Sequence, residues 1–169
     1  MILDAILTLA LHAAPEPDAP TTTAAHSREW AVNRPTRGTH ARVVARAATV
    51  PPRWRPFAAC VLHRESGGTL DRPQSGVGAL NGDGSGAAGR WQFLGWEHGG
   101  PYQVKDRLER FGMSHKEARR IRVWLSAHPI PKWHGLYQDA LFLEAVERGG
   151  ALRHWGNGDR CDGLVVSHG

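Results

Sequence analysis

Residues 54–65 read Trp54-Arg55-Pro56-Phe57-Ala58-Ala59-Cys60-Val61-Leu62-His63-Arg64-Glu65. Within this stretch Phe57, Val61 and Glu65 recur every fourth residue, so they share one face of a helix. The next residues are Ser66-Gly67-Gly68, and glycine favours the backbone conformation that ends a helix. The stretch therefore predicts a helix whose apolar face ends in a carboxyl group.

Two interpretations of Glu65 follow from this position. Burial disfavours the charged form of a carboxyl group, so an acid at the end of an apolar stripe can donate a proton near neutral pH. A glutamate near a helix end, with Arg64 beside it, can equally be a solvated surface charge. The helix by itself leaves both interpretations open.

The composition bounds the size of the domain and the kind of partner. The chain has 169 residues, of which 41% are hydrophobic, and this is enough for one small domain with a core. Its formal net charge is +5, and arginine supplies nearly all of the positive charge, since lysine occurs only at 105, 116 and 132. A basic surface favours an anionic partner, a class that includes nucleic acid, acidic lipid and cell-wall polymers.

We predict a domain boundary near Pro51. Residues 1–50 begin with a short apolar segment, 1–14, which has the character of a weak export signal or a short anchoring helix and is too short to cross a bilayer. The rest of this region is rich in proline, threonine and arginine, a composition typical of a disordered linker. Residues 51–169 form the predicted folded domain.

Helical patterns dominate the predicted domain. Beyond the first helix we expect three more, over Pro101 to Phe111, Ser114 to Ala127 and about Leu136 to Arg148. Ser114 and Glu117 form a capping-box pattern at the start of the second of these. No strand-like alternation is strong, and the glycine-rich region at 69–90 is either a loop or a short hairpin. The predicted fold class is mainly α.

A second informative segment is Gly86-Ala87-Ala88-Gly89-Arg90-Trp91-Gln92-Phe93-Leu94. Small residues let a bulky substrate approach the backbone. A tryptophan ring can stack on the apolar face of a sugar, and an amide side chain can both donate and accept hydrogen bonds. The segment is therefore typical either of a sugar-binding groove or of a glycine turn that leads into a helix with a core tryptophan.

Five segments follow one another within residues 54–161. They are Glu65-Ser66-Gly67-Gly68, the 86–94 segment with Trp96 behind it, Gln138-Asp139-Ala140, Arg148-Gly149-Gly150 and His154-Trp155-Gly156. This order resembles the lysozyme-like transglycosylase domains of actinobacterial resuscitation-promoting factors and of related phage cell-wall enzymes. Two features depart from that family. The segment 65–86 is longer than a minimal member needs, and the helix from Ser114 to Ala127 looks like an insertion.

The resemblance implies both a fold and an activity. The fold is a small, single, lysozyme-like (α+β) catalytic domain. The activity is cleavage of the β-1,4 bond between MurNAc and GlcNAc in peptidoglycan, with Glu65 as the catalytic acid. The motif at 86–94 then lines the cleft, and we predict that Ala88, Gly89, Trp91 and Gln92 bind sugar there. We also place Tyr137 and Gln138 of the last helix in the cleft.

The number of acids bears on the mechanism. Glycoside hydrolases usually need a second carboxylate. Lytic transglycosylases use one glutamate, which donates a proton and then removes one from the sugar's own hydroxyl, giving a 1,6-anhydro product. Asp71, Asp83 and Glu97 follow the first helix, but none has a spacing that demands a role. We therefore favour a transglycosylase over a muramidase-type hydrolase, and a non-catalytic wall-binding or phage virion structural module is the competing class.

Cys60 and Cys161 lie about one hundred residues apart. The residues alone allow either a disulfide or two free buried thiols. Members of the family carry one cysteine a few residues before the acid and another near the end of the domain, so the resemblance implies a disulfide here. It also implies an extracellular, cell-envelope or virion-associated protein, with peptidoglycan glycan strands and envelope or virion components as partners.

Metal-binding patterns are incomplete. Residues 81–86 half-resemble the start of a calcium loop, but its twelfth position is Gln92 instead of a glutamate. A zinc site would draw on Cys60, His63, His154 and Cys161, which lack a second closely spaced pair. We expect neither a metal nor a cofactor.

A basic segment lies in the apparent insertion. Arg119, Arg120 and Arg122, with Trp124, form either a nucleic-acid-binding helix or a solvated basic face. We favour the basic face and expect no nucleic-acid partner, because a wall enzyme would use the same charge to hold anionic peptidoglycan and teichoic polymers.

Overall fold

Six α-helices make up most of the described chain. The computed structural model describes residues 35, 38, 40–82, 85–156 and 161–164. In chain order its helices are α1 (Ala41–Ala48), α2 (Arg55–Ser66), α3 (Gly100–Arg110), α4 (His115–Ser126), α5 (Gly135–Glu147) and α6 (Ala151–Trp155). Short 3-10 turns cover Pro52–Trp54, Ile130–Lys132 and Asp162–Leu164. The predicted small, mainly helical domain is confirmed, and its assignment to a lysozyme-like fold stays a prediction.

Helix α5 forms the centre of the core. Eleven of its thirteen residues are buried, which is typical of a helix enclosed by other elements. Helices α1 and α3 pack against α5, and α4 packs on α3. Phe142 of α5 stacks on Phe57 of α2 with the ring centroids 6.3 Å apart, and on Trp91 at 3.7 Å. These rings hold the apolar face of α2 against the core.

Helix α2 confirms the helix predicted from residues 54–65. Phe57 and Val61 are fully buried, as expected of its apolar face. Gly67 ends the helix with a left-handed φ of 66°, and its N–H donates to the carbonyl of His63 at 2.9 Å. The three later helices also agree with the sequence, since α3, α4 and α5 each begin and end within one residue of their predicted bounds.

Helix α1 lies in the region predicted to be a disordered linker, so that prediction is wrong for residues 41–50. Val44 and Ala47 are fully buried. The buried guanidinium of Arg107 in α3 donates from Nε to the carbonyl of Ala47 at 2.6 Å. Two arginines on the exposed face of α1 made the segment look polar in sequence. The folded domain therefore begins before the predicted boundary.

The first part of the chain lies outside the described residues. The expected export signal or short anchor at 1–14 falls there and stays a prediction. None of the helices that are described is both long and apolar enough to cross a bilayer.

Bidentate ion pairs fasten α3 to α5. Arg107 donates to both carboxylate oxygens of Glu147, at 2.7 and 3.1 Å. Arg110 donates to both oxygens of Glu144, and Arg148 adds a contact to Glu144 at 2.8 Å. Burial opposes the charge of Glu144, but the hydrogen bonds from Arg110 and Arg148 hold the pKa of Glu144 below its usual value. Two arginines of α3 thus fix its position along α5.

The predicted capping box at the start of α4 forms only in part. Ser114 is the N-cap, but its hydroxyl donates to the carboxylate of Glu117 at 2.6 Å instead of accepting a backbone N–H. This hydrogen bond is the main cause that holds the pKa of Glu117 below its usual value. Glu117 also pairs with His40 at 2.9 Å, which connects α4 to the residue before α1.

The glycine-rich loop between α2 and α3 has no extended strand among its described residues. Isolated antiparallel bridges join Thr69 to Arg72, Leu80 to Ala88 and Ala88 to Phe93. The described part of 69–90 is therefore a loop with isolated bridges, which agrees with the predicted glycine-rich loop.

Cys60 and Cys161 form a disulfide, with their Cα atoms 5.7 Å apart. The predicted bridge is confirmed. It ties residues 161–164 to the middle of α2 and closes a loop of 101 residues. In the chain-entropy model, a loop of this length stabilises the folded state by about 4–5 kcal/mol.

Reduction of this disulfide should lower the melting temperature by roughly 10–20 °C, because about 4–5 kcal/mol of constraint on the unfolded chain is lost. Differential scanning calorimetry with and without a phosphine reductant measures the shift. A Cys60→Ala/Cys161→Ala variant is the control, since the reductant has nothing to cleave in it. Equal melting temperatures for the oxidised and reduced wild-type protein would contradict the stabilising role of the bridge.

Candidate active site

Glu65 lies in the last turn of α2 with 21% of its side chain exposed. Its Oε1 accepts from Nε of Arg64 at 2.9 Å and also from Nη2 of Arg64. Nη2 donates in addition to the carbonyl of Trp155 at 3.0 Å. Among the described residues, Oε2 of Glu65 makes no hydrogen bond. The carboxylate is thus half-buried, with one oxygen held by Arg64 and the other available to a ligand.

The residue after Glu65 fixes the end of α2 to the loop. The hydroxyl of Ser66 donates to the carbonyl of Arg90 at 2.8 Å. Gly76 lies so close to this hydroxyl that a Cβ there would come within 2.2 Å of Oγ. The loop therefore packs directly on the helix end that carries the carboxyl group.

Trp91 does not occupy a sugar-stacking position. It is fully buried, and its indole N–H donates to Oδ1 of Asp139 at 2.8 Å. Its ring stacks on Phe142 of α5. The prediction that Trp91 contacts substrate is therefore wrong, and the alternative of a core tryptophan holds.

Gln138 is also a core residue instead of a cleft residue. It is fully buried, and its Oε1 accepts the backbone N–H of Arg90 at 2.8 Å. Its amide nitrogen donates to the carbonyls of Ile130 and Trp133, at 3.0 and 3.1 Å. A buried amide satisfied in this way has no capacity left for a sugar. The predicted cleft role of Gln138 does not fit these contacts.

Three further predicted substrate contacts are buried. Tyr137 has 1% of its surface exposed, and burial raises the pKa of its hydroxyl well above the usual value. Ala88 takes part in the two backbone bridges of the loop. Gly89 has a φ of 80°, and a Cβ there would lie 2.4 Å from Oε1 of Gln138. The small residues of the motif permit close packing of the loop on α5, not the approach of a sugar.

Gln92 keeps a partly exposed side chain. Its φ of 49° is the positive value of a tight turn. Its amide nitrogen donates to the carbonyls of Gly89 at 2.9 Å and Ala79 at 3.3 Å, while Oε1 makes no hydrogen bond within the described residues. Of the predicted sugar-binding residues, Gln92 alone is compatible with a ligand contact.

A buried ion pair was not predicted from the sequence. Arg90 is fully buried, and its guanidinium donates to the carbonyls of Arg72 at 3.0 Å, Thr69 at 3.1 Å and Ser75 at 3.4 Å. Nε of Arg90 lies 2.9 Å from Oδ1 of Asp139, as an ion pair without the alignment of a hydrogen bond. The signal in the sequence was a charged residue inside each of two otherwise small or apolar segments.

Burial is the largest cause of the pKa shifts of Asp139 and Arg90. It raises the pKa of Asp139 to about 7, against the opposing effects of the Arg90 charge and the Trp91 hydrogen bond. Burial likewise lowers the pKa of Arg90, and the Asp139 charge opposes that shift. Asp139 contacts Arg90 and Trp91 and has 4% of its surface exposed, so it is part of the core.

The two described candidates for a second catalytic acid are more exposed than Glu65. Asp71 has 90% of its side chain exposed and pairs with Arg55 at 3.7 Å. Glu97 is exposed, and Asp83 lies outside the described residues. Neither of the two described acids has the partial burial of Glu65.

A groove of 460 Å³ runs along another face of α2. Its lining includes Arg55, Ala59, His63 and Asp71, but not Glu65. Residues 63 and 65 point about 160° apart on a helix. This groove therefore lies away from the carboxyl group of Glu65.

The described residues contain no group of three His, Cys, Asp or Glu side chains arranged to hold a metal ion. The zinc site of Cys60, His63, His154 and Cys161 is incompatible with the structure, because its two cysteines form a disulfide with each other.

The chain matches no known family model, no curated protein and no solved structure. The likeness to lysozyme-like transglycosylases therefore rests on the order of the sequence motifs.

Alanine substitutions at Gly89 and Gly86 test whether the loop packs directly on Gln138. Both have a φ near 80°, but a Cβ at Gly86 would meet nothing within 4 Å, whereas one at Gly89 would strike Gln138. Gly86→Ala should cost about 1 kcal/mol for the left-handed backbone, and Gly89→Ala a further 1–3 kcal/mol for overpacking. Urea unfolding of both variants measures the difference. Equal costs would show that Gly89 does not pack on Gln138.

Asp139 predicts a dependence of stability on pH. Its pKa is about 7 in the folded protein against an ordinary 3.8, so between these values the folded state keeps a proton that the unfolded chain releases. The free energy of unfolding should therefore fall as the pH rises from 3.8 to about 7, and this contribution should level off above it. Urea unfolding of the wild type and Asp139→Asn across this range isolates it, because asparagine does not titrate. A pH-independent difference between the two proteins would contradict it.

Proposed function

We propose that the protein is a peptidoglycan-cleaving glycosidase of lysozyme-like fold, which acts as a lytic transglycosylase on the β-1,4 bond between MurNAc and GlcNAc. The observation that carries the proposal is Glu65, a half-buried carboxylate at the end of α2 with Oε2 available. The ordered motifs of the sequence support the same assignment. The disulfide between Cys60 and Cys161 is compatible with an extracellular or envelope location.

Glu65 would act through Oε2, since Oε1 is held by Arg64. In the first step, protonated Oε2 donates its proton to the glycosidic oxygen as the bond from that oxygen to C1 of MurNAc breaks. In the second step, the same oxygen takes the proton of the C6 hydroxyl as O6 bonds to C1. The products are a new chain end with a free hydroxyl and a 1,6-anhydro sugar, and Glu65 regains its proton.

Of the candidate second acids that the structure describes, Asp71 and Glu97 are both more exposed than Glu65, and this favours the single-acid route over hydrolysis. A hydrolase needs a second carboxylate to activate water or to attack C1. Asp71 is largely exposed and paired with Arg55, so solvent would weaken any charge it offered to a transition state.

Trp96, in place of the buried Trp91, would contact the sugar in this proposal. Trp96 is half-buried and packs against Phe93 at 5.6 Å and His154 at 4.8 Å between ring centroids. Phe93 and His154 also contact Trp155, whose carbonyl binds the arginine that holds Glu65. Trp96 therefore keeps part of its side chain exposed on the aromatic cluster that includes Trp155. Among the described residues, the amide oxygen of Gln92 makes no hydrogen bond.

Glu65→Gln should reduce the release of anhydro-muropeptides from purified peptidoglycan by at least about 100-fold, because glutamine cannot donate the proton. Mass spectrometry of the soluble fragments measures this loss. Glu97→Gln is the matched control, since it removes an exposed acid of the same type and should leave the release unchanged. Both variants should keep the wild-type melting temperature.

Each other product identifies a different function. Fragments with reducing ends, lost in Glu65→Gln, would replace the transglycosylase with a muramidase. Intact wall that nevertheless retains the protein in a pull-down would mean a non-catalytic wall-binding module. Equal activity in the wild type and Glu65→Gln would remove Glu65 from the mechanism.

A further inference from the structure

Helix α4 carries a basic face beside a shallow groove of 530 Å³. Lys116, Arg119 and Arg120 are exposed and line this groove together with His115 and Val123. The three cations stand at positions i, i+3 and i+4, so they share one face and span about 6 Å along the helix axis. Val123 follows one turn later with 54% of its surface exposed.

Neighbouring acids neutralise this face only in part, through the charge of Arg120, which acts on Glu117. Glu117 accepts the hydrogen bond of Ser114 and pairs with His40. Glu109 pairs with Lys105 at 3.0 Å and with His115 at 2.9 Å. In the described ranges, neither Lys116 nor the two arginines take part in an ion pair.

The lining residues favour one class of anion. Single-stranded nucleic acids bind through aromatic rings that stack on their bases, and none of the five lining side chains is aromatic apart from the imidazole of His115, which is engaged with Glu109. Three adjacent cations beside an exposed valine suit a flexible chain of phosphates joined by short carbon units. The disulfide fits a compartment outside the reducing cytosol.

We infer that the α4 face, defined by Lys116, Arg119, Arg120 and Val123, binds a linear polyol-phosphate polymer of the bacterial envelope. The cations contact successive phosphates, and Val123 packs on the polyol carbons. The choice of an envelope polymer rests on the proposed function, but this binding goes beyond the cleavage of glycan strands and does not require Glu65. It would hold the protein at an anionic wall surface.

The test is the affinity for purified poly(glycerol phosphate), measured by isothermal titration calorimetry at about 50 mM and about 200 mM salt. Removing the cations with Lys116→Gln/Arg119→Gln/Arg120→Gln should weaken binding by about 10–100-fold at the lower salt. With three phosphates neutralised, the logarithm of the wild-type association constant should fall against the logarithm of salt with a slope of about −2.

A matched control removes the same charge elsewhere. Arg53→Gln/Arg72→Gln/Lys132→Gln changes three exposed cations that lie outside α4 and should weaken binding by less than about threefold. Melting temperatures of both triple variants verify that they fold.

Three outcomes would overturn the inference. Equal losses in the two triple variants would mean that net charge, and not the α4 face, attracts the polymer. Tighter binding of a single-stranded oligonucleotide with the same number of phosphates would make the face a nucleic-acid surface. No binding of the polymer by the wild-type protein at the lower salt would leave the face without this role.

Discussion

The buried ion pair of Arg90 and Asp139 holds together the part of the fold that has no regular structure. A guanidinium withdrawn from water needs an opposite charge and acceptors for its N–H groups. Once the pH exceeds about 7, Asp139 supplies the charge from α5. The carbonyls of residues 69–75 supply the acceptors. A loop without strands must find partners for its own backbone groups, and one side chain here satisfies three of them. The backbone of Arg90 in turn binds Ser66, so α5, the loop and the end of α2 form one packed unit.

This packing explains the small residues that the sequence concentrates around the loop. Gly89 lies against Gln138, and a Cβ on Gly135 would come within 1.5 Å of the carbonyl oxygen of Pro73. A backbone that must approach another backbone requires glycine for the same reason as a backbone that must approach a sugar, because in both cases a side chain would occupy the space. The 86–94 motif is therefore a place of close backbone approach, but the approaching group is α5 and not the predicted sugar.

The features that the sequence predicted well are those encoded by near neighbours. The period of α2, its glycine terminator and the bounds of α3 to α5 depend on residues within one or two turns of each other. The burial of Trp91 depends on Asp139, which is 48 residues away, and no local pattern carries that information. Helix α1 was not predicted for a related reason. Val44 and Ala47 stabilise this helix only when α3 and α5 cover them, and these helices are distant in sequence. The disulfide was an exception, because the resemblance to a family supplied its long-range pairing.

The position of Glu65 also depends on distant residues, through two ties between α2 and the end of the domain. Cys60 binds Cys161, and one turn later Arg64 binds both Glu65 and the carbonyl of Trp155. A lone arginine on an exposed helix end would lose entropy by holding one geometry, and such surface pairs contribute little. Here the disulfide keeps the segment around Cys161 next to α2. The hydrogen bond from Arg64 to the carbonyl of Trp155 therefore costs less entropy to form. The orientation of the carboxylate is therefore set by the docking of the C-terminal segment as well as by the helix that carries it.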